Sequence, residues 1–215
     1  MKSLAAIIHA RKTSTRCPNK HLRPFGNTTL IDIALENLSK LDVDEKYLAV
    51  YDQEIKDKVI DGVQILQREN DSVAPGNCHH SIMYRHLKKV NSEFIVNYNP
   101  CQPFLQVDKL NHCIKVFKEN TMKSMITVQK ERNFFWDETS TPINFKPNDR
   151  LSTTAGPWVY SATHSLVFYE KNYMLSEWEL FPNTKDNPFP LITDWPEEEL
   201  IDVDTELDFK LAKLI

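Results

Sequence analysis

Short apolar runs alternate with helical patterns along the first two thirds of this chain. Five runs are apolar on both faces and too short for helices, which predicts buried strands at residues 4–8, 47–51, 63–66, 93–98 and 124–128. Apolar positions recur at helical spacing over residues 28–40, 78–90 and 107–120, with a shorter helical segment at 53–59. This alternation predicts βαβ units and a mostly parallel sheet.

The pattern changes after residue 128. Residues 130–155 are polar and carry several aromatic side chains, so we expect an arm outside the core whose aromatic residues either meet a second subunit or cover the arm itself. Beyond it, the pattern predicts strands at 157–160, 178–181, 189–192 and 200–204, and a helix at 164–171. Thr205 and Asp208 are spaced as a capping box that opens a terminal helix. Residues 1–215 are thus predicted to form a single α/β domain with a protruding arm.

A basic loop follows the first predicted strand. It contains Arg11, Lys12, Arg16 and Lys20 and separates the strand from the first helix. Ligands of open α/β sheets bind outside the carboxyl ends of the strands, and clustered cations suit a polyphosphate. A solvated basic loop would carry the same charges.

Two carboxylates near the other end of the chain, Asp202 and Asp204, alternate along a predicted strand and so share one face. Mg²⁺ is held by one or two protein carboxylates together with waters and substrate phosphates. The alternative is that these acids complement the dipole of the terminal helix. A basic loop for a triphosphate and a carboxylate pair for Mg²⁺ together indicate a nucleotidyl-transfer site.

Composition excludes several other classes of protein. A net charge of -4 and a pI near 6.0 argue against nucleic acid as the main partner. The cysteines form no C-x-x-C pair and no signal peptide is visible, which favours a reduced, cytoplasmic compartment. No apolar segment approaches the roughly 20 residues that span a bilayer, so we expect no membrane partner. Glycine-rich dinucleotide and P-loop motifs are also absent from the sequence.

Both ends of the chain resemble the sugar-acid cytidylyltransferases, the CMP-N-acetylneuraminate and other CMP-nonulosonate synthetases. The run Ala6-Ile7-Ile8-His9-Ala10-Arg11-x-x-Ser14-x-Arg16-x-Pro18-x-Lys20 is similar to the family's loop, and Ile201-Asp202-Val203-Asp204-Thr205-Glu206-Leu207-Asp208 is similar to its I-D-I-D-T-x-x-D element. Between them, Asp52, Arg68 and the segment Asn99-Pro100-Cys101-Gln102-Pro103 stand where the family has an acidic residue, an R-P motif and Q-P-T-S-P.

The resemblance implies a three-layer, Rossmann-like nucleotidyltransferase fold with a dimerisation arm, and therefore a homodimer. It also implies a reaction in which CTP and a sugar acid give a CMP-sugar and pyrophosphate, with Mg²⁺ as cofactor. Arg11, Lys20 and Asp204 are then the expected catalytic residues, and Asp202 and Asp204 the metal ligands. The nucleotide would be bound by Ala10, Arg11, Ser14, Arg16, Lys20 and Arg68, and the acceptor by Asn99, Gln102 and Arg150.

Departures from the family pattern cluster on the acceptor side. Cys101 and Gln102 replace Thr-Ser, Leu105 replaces an arginine, and Ala155 replaces an asparagine. In the loop, Thr15 replaces a cation and His21 an asparagine. Nucleotide activation is therefore the firmer expectation. The alternatives are transfer to another small acid such as a phosphonate, and a relative that binds nucleotide without turnover.

Overall fold

The computed structural model describes residues 2–73, 78–146, 148–152, 154, 156–185 and 187–215. Its strands are β1 (Leu4–His9), β2 (Pro24–Phe25), β3 (Thr28–Thr29), β4 (Glu45–Val50), β5 (Gln64–Gln67), β6 (Phe94–Tyr98), β7 (Met125–Arg132), β8 (Trp158–Glu170) and β9 (Phe189–Ile192). Its α-helices are α1 (Leu30–Ser39), α2 (Gln53–Lys56), α3 (His80–Met83), α4 (Val107–Glu119), α5 (Lys171–Glu177) and α6 (Glu206–Ala212). Three 3₁₀ helices span Asn70–Ser72, Arg85–Lys89 and Glu197–Leu200.

Seven strands form one sheet in the order β5-β4-β1-β6-β8-β7-β9. Strands β5, β4, β1 and β6 pair in parallel, β8 runs antiparallel to both of its neighbours, and β9 pairs in parallel with β7. The predicted mostly parallel α/β sheet is confirmed. Because β1 lies in the middle of the parallel part, its carboxyl end opens onto the edge where ligands bind in such sheets.

Alternate residues of β1 pack into two separate cores. Ala6 and Ile8 face the layer formed by α1 and α4, whereas Ala5 and Ile7 face the layer that contains α5 and the 3₁₀ helix at 85–89. In α4 the spacing of Leu110, Cys113, Ile114 and Phe117 gives one continuous apolar stripe toward the sheet. The predicted three-layer arrangement is thus confirmed.

Strand β8 overturns the helix predicted at residues 164–171. The segment is the second half of a strand that pairs with β6 on one side and β7 on the other, and α5 begins only at Lys171. Leu166 and Phe168 are buried on one face and Tyr169 on the other, so both faces of the strand are apolar. The sequence therefore lacks the alternation of polar and apolar residues that identifies a strand. An irregularity in the β7–β8 register, with His164 at φ 55°, further interrupts the pattern.

Other boundaries also differ from the predictions. The expected helix at 78–90 is two short helices that meet at Tyr84, and the expected strand at 178–181 is a bend after Trp178 closes α5 at φ 59°. The strand predicted at 200–204 is not formed: Leu200 ends a 3₁₀ helix, residues 201–204 belong to no described strand, and the Val203 N–H donates to the Cys101 carbonyl (2.9 Å). The substituted Ala155 lies outside the described residues.

The arm begins as a continuation of the sheet. β7 and β8 stay paired as far as Arg132 and Trp158, and the chain between them contains an isolated bridge from Trp136 to Pro142. Phe134 and Trp136 both make edge contacts with Phe145, with ring centroids 5.2 and 4.8 Å apart. Part of the predicted arm therefore covers itself with its own aromatic rings.

The predicted capping box is confirmed at the start of α6. The Asp208 carboxylate accepts the Thr205 N–H (2.7 Å) and the Thr205 hydroxyl oxygen accepts the Asp208 N–H (3.2 Å). The same Asp208 carboxylate accepts the N–H of Asp204 (3.2 Å), so the cap also fixes the backbone of a predicted metal ligand.

We expect Thr205→Ala to lower the free energy of unfolding by about 1 kcal/mol, because an unpaired N–H would remain at the helix start. Denaturant unfolding measures the change. Lys210→Ala, on the exposed side of the same helix, is the control and should change it by less than about 0.5 kcal/mol. Equal effects in the two variants would contradict the role of the cap.

Candidate active site

The basic loop is held by an apolar anchor in its middle. Cys17 is fully buried in a small core with Leu30, Val203 and Phe209, which joins the loop to α1 and to the C-terminal segment. The Ser14 hydroxyl accepts the Cys17 N–H (3.3 Å), and Asn19 turns the chain at φ 55°. This conformation places Lys20 back under the loop, with only 8% of its surface exposed.

A cavity of about 200 Å³ lies between this loop and the ends of β1 and β6. The residues lining it are His9, Arg11, Ser14, Thr15, Arg16, Lys20, His21, Asn99, Pro100, Cys101 and Asp204. The fold thus brings most of the predicted nucleotide residues and one predicted metal ligand around a single space. We call it the phosphate cavity.

Lys20 joins the two ends of the chain. Its Nζ donates to the Val203 carbonyl (2.7 Å) and to Oδ1 of Asp204 (2.9 Å). Burial alone would lower the pKa of Lys20, but its contacts with the Cys101 thiol and the Asp204 carboxylate outweigh burial and raise that pKa. The ammonium is therefore charged whenever the protein is folded near neutral pH.

Asp204 accepts a second cation on its other oxygen. Arg16 Nη2 lies 2.8 Å from Oδ2, so each carboxylate oxygen has one cationic partner. Burial would raise the pKa of Asp204, but the hydrogen bond from Lys20 and the charges of Lys20 and Arg16 lower it. The carboxylate stays ionised, and the cations that suit a triphosphate already lie around it.

Asp202 has one satisfied and one unsatisfied oxygen. Oδ2 accepts from the Asn99 side-chain amide (3.0 Å), whereas Oδ1 is buried and has no hydrogen-bond partner among the described residues. Burial and the neighbouring charge of Asp204 raise the pKa of Asp202. An unpartnered buried carboxylate oxygen beside a second carboxylate fits a Mg²⁺ ion, which needs few protein ligands. No cluster of three or more His, Cys, Asp or Glu ligands occurs within the described ranges.

A further carboxylate near the basic loop, Asp52, holds the loop backbone. Its Oδ2 accepts the N–H of Lys12 (2.9 Å), and the Lys12 ammonium pairs with Glu54 (2.6 Å) at the surface. Ala10, also predicted to bind nucleotide, donates its N–H to the Ala49 carbonyl (3.1 Å), which continues the ladder from β1 to β4.

Arg68 is buried beside the end of β5, with 6% of its surface exposed. One terminal nitrogen donates to the Ser72 carbonyl, and Nε has no hydrogen-bond partner among the described residues. Burial, with a smaller effect of the Arg11 charge, lowers the pKa of Arg68 to about 10, so the side chain remains a cation at neutral pH.

A second cavity, of about 230 Å³, adjoins the phosphate cavity. Its lining comprises His9, Arg68, Met83, Tyr84, Asn97, Tyr98, Asn99, Pro100, His164 and Val167. The two cavities share His9, Asn99 and Pro100, so they meet at the ends of β1 and β6. We call the second space the side cavity.

Two predicted acceptor residues do not line either cavity. Gln102 is 1% exposed and donates its side-chain amide to the Thr163 carbonyl (2.9 Å), which ties the segment after β6 to β8. Arg150 is exposed on the arm. Asn99 lies where the two cavities meet. Its side-chain amide nitrogen already donates to Asp202, and its side-chain oxygen accepts the Cys101 N–H.

Several residues of these cavities were not predicted. His9, His21, Tyr84, Asn97 and His164 are polar or aromatic side chains that the tertiary structure brings to the strand ends. His164 was missed because a helix was predicted at 164–171. His9 directly follows an apolar run, and that position at the end of a predicted strand could have identified it as a site residue.

Comparisons with known proteins identify the family of this chain. The cytidylyltransferase family model matches residues 5–189. The chain belongs to the cytidylyltransferase family. The resemblance at its N-terminal loop is thereby confirmed, while Asp202 and Asp204 lie beyond the matched range.

One relative is the 3-deoxy-manno-octulosonate cytidylyltransferase of Fusobacterium nucleatum, 28% identical over 142 residues. The match covers 65% of this chain and 56% of the relative, so it spans little more than half of the relative's length.

Two solved structures share the fold over nearly the whole chain. A CMP:2-keto-3-deoxy-manno-octonic acid synthetase complexed with CTP has a TM-score of 0.68 at 13% identity, covering 99% of this chain and 97% of the other. The 4-diphosphocytidyl-2C-methyl-D-erythritol synthase of Anaerococcus prevotii has a TM-score of 0.67 at 18% identity, covering 99% and 95%. These similarities establish the fold.

Two further observations concern the whole chain. Its four cysteines are free thiols, and no helix among the described residues combines the length and apolar character needed to cross a bilayer.

His21 makes the stability of the fold depend on pH. Burial, with the charges of Lys20 and Arg11, lowers its pKa to about 3. An unfolded histidine titrates near pH 6.5, so between these values the unfolded chain binds more protons and the free energy of unfolding falls as the pH falls.

Between pH 7 and pH 5 we expect His21 to account for a loss of about 2 kcal/mol. Urea unfolding at both pH values measures it, and His21→Asn should remove that part of the loss. His112→Asn, on the exposed face of α4, should leave the loss unchanged. A wild-type loss that His21→Asn fails to reduce would contradict this assignment.

Proposed function

We propose that this protein transfers the cytidylyl group of CTP to a hydroxyl of a sugar acid and releases pyrophosphate. The supporting observation is the cluster of Lys20, Arg16 and Asp204 in one cavity, with cations on both oxygens of a carboxylate. A triphosphate that enters the cavity meets Arg11, Arg16 and Lys20, which can bind its oxygens and stabilise the charge that develops when the α-phosphate is attacked.

Mg²⁺ is the proposed cofactor, and Asp202 and Asp204 would hold it. When bound, it neutralises phosphate charge and helps activate the attacking hydroxyl. Each oxygen of Asp204 has a further lone pair, so the carboxylate could hold the ion while it keeps its contacts with Lys20 and Arg16. The two cations would also meet the phosphates, so the same residues would serve both ligands.

The nucleotide side of the proposal assigns Ser14 and Ala10 to the loop that surrounds the phosphates, and Arg68 to the nucleoside. Arg68 supports this role because it is a buried cation that lines the side cavity, and its Nε has no hydrogen-bond partner among the described residues. Such a group is costly to bury unless a ligand completes its hydrogen bonds.

The acceptor is proposed to be an acidic sugar of the sialic-acid or nonulosonate type, or the 3-deoxy-octulosonate named for the relative and for one structural neighbour. Of the residues first assigned to this acceptor, Asn99 is best placed, since it lies where the two cavities meet. Gln102 would support this segment from beneath, whereas Arg150 lines neither cavity.

The test is pyrophosphate release from CTP and Mg²⁺ in the presence of 3-deoxy-manno-octulosonate, N-acetylneuraminate or a small hydroxyphosphonate, with the product identified by mass spectrometry. Conversion of a sugar acid supports the proposal. Conversion of the phosphonate alone would favour the alternative acceptor, and CTP binding without any product would favour a non-catalytic relative.

Asp204→Ala should lower kcat/KM by about 10²- to 10³-fold, because it removes a metal ligand and the partner that orients Lys20. Glu36→Ala, which removes an exposed carboxylate paired with Lys40 on α1, should leave turnover unchanged. Circular dichroism verifies that both variants fold. Undiminished turnover in Asp204→Ala would exclude the metal assignment.

We also propose that the protein is a homodimer that pairs through the extension of β7 and β8. Trp158 and Tyr160 are each 52% exposed there, and Lys130 and Arg132 lie over the Trp158 ring at 4.5 and 4.3 Å. Adjacent exposed aromatic rings on a projecting pair of strands are typical of interfaces.

Light scattering should therefore give twice the monomer mass for the wild type and the monomer mass for Trp158→Asp. Ile65→Asp, at an exposed position (44%) on the opposite edge of the sheet, is the control and should stay dimeric. A monomeric wild type, or a dimeric Trp158→Asp, would contradict the proposed interface.

A further inference from the structure

The junction of the two cavities is where the two substrates must meet. If the triphosphate occupies the phosphate cavity and the nucleoside extends toward Arg68 in the side cavity, the α-phosphate lies near the junction, and the acceptor hydroxyl has to reach it there. Only three residues of the described lining belong to both spaces: His9, Asn99 and Pro100. Pro100 has no side-chain donor or acceptor, and Asn99 is already engaged by Asp202 and the backbone of Cys101.

His9 is the remaining polar side chain at this junction. It is the last residue of β1, on the face of the strand that carries Ala5 and Ile7, and it projects toward the layer that contains the 3₁₀ helix at 85–89. An interior strand that is paired on both sides therefore fixes its backbone, and the position of the ring does not depend on a loop.

His86 fixes the ring of His9. The two Nε2 atoms lie 3.0 Å apart, so one nitrogen donates to the other, and Tyr84 packs edge-on against His9 at 5.5 Å between ring centroids. His86 itself is 4% exposed. A histidine whose Nε2 is held in this way has one further nitrogen, Nδ1, in a set orientation.

The surroundings keep both rings neutral. Burial lowers the pKa of His9 well below its usual value, with further lowering by His86 and Arg68. Burial and the charges of Arg68, Lys89 and Arg85 lower the pKa of His86 to about 3, against a backbone hydrogen bond that raises it. A neutral imidazole recognises a hydroxyl as donor or acceptor and adds no charge to a space that already contains the Arg68 cation.

We infer that His9 is a specificity-determining residue of the acceptor site, with its Nδ1 hydrogen-bonded to an acceptor hydroxyl beside the α-phosphate and with His86 as its positioning residue. This inference rests on the proposed cytidylyl transfer. It places an uncharged hydrogen bond to an acceptor hydroxyl at the junction. The acidic group of the acceptor must then bind elsewhere.

Two substitutions separate contact with the acceptor from a structural role. The side-chain amide of Asn superimposes on the Nδ1 edge of histidine and that of Gln on the Nε2 edge. His9→Asn therefore keeps a hydrogen-bonding group toward the acceptor, whereas His9→Gln keeps only the bond to His86. We expect the acceptor KM to rise about 3- to 10-fold in His9→Ala and His9→Gln and less than about 2-fold in His9→Asn.

The same substitutions should leave the binding of CTP unchanged. The Kd for CTP, measured by calorimetry, should stay within about 2-fold of wild type in all three variants, and His86→Ala should raise the acceptor KM with little effect on that Kd. His112→Ala is the matched control on an exposed helix face. A structural role for His9 predicts the reverse order, with Gln tolerated and Asn not, and that order would overturn the inference.

A binding measurement makes the test independent of turnover. Protein labelled with ¹⁵N in its histidine rings is saturated with CTP in EDTA and titrated with the three acceptor probes, 3-deoxy-manno-octulosonate first. We expect the ring signals of His9 to shift with at least one probe and those of His112 to stay constant. If CTP binds but His9 responds to no probe, the inference fails alone; if CTP binds neither in EDTA nor in the presence of Mg²⁺, the proposed function fails.

Discussion

The contact between Lys20 and Asp204 joins the basic loop to the segment before α6, and the candidate site lies between them. The two residues are 184 positions apart, and the same ammonium also holds the Val203 carbonyl. Lys20 is buried, so the loss of either charge of the pair would leave the other without a partner at a cost in stability. Arg16, on the other oxygen of Asp204, favours the ionised carboxylate. The loop after β1, the extended segment before α6 and the phosphate cavity between them therefore form one unit. A ligand that engages Lys20 necessarily alters the environment of Asp204.

Around this charged pair the protein places neutral groups. His9, His21 and His86 all lose basicity through burial near the cations Arg11, Lys20 and Arg68. Most of the ionised residues line the phosphate cavity, whereas the side cavity has the Arg68 cation beside polar side chains such as His9 and Asn97. Such a division suits a reaction between a polyanionic nucleotide and a hydroxyl group, because only one of the two reacting partners needs cations at the reacting atoms.

The departures from the family pattern acquire physical meaning in the fold. Cys101 lies against Lys20 as a buried thiol whose pKa burial raises to about 11, so it adds no negative charge to the cavity. Gln102 is a structural link to β8. Leu105 packs in the core with α1 and α4. These departures therefore lie in packed positions, and the side chains that line the side cavity come instead from the ends of β1 and β6 and from the middle of β8.

Local patterns in the chain predict the parallel half of the sheet, the α1 and α4 helices, the cap of α6 and the family, because these depend on periodicity, capping and a contiguous loop motif. They also indicated that Arg16, Lys20 and Asp204 belong together. That residues 164–170 are strand follows from the fold alone, since pairing with β6 and β7 on both sides overrides a run without alternation. The fold likewise placed His9 against His86 and buried Gln102, because such contacts join residues 77 and 61 positions apart that no local pattern relates.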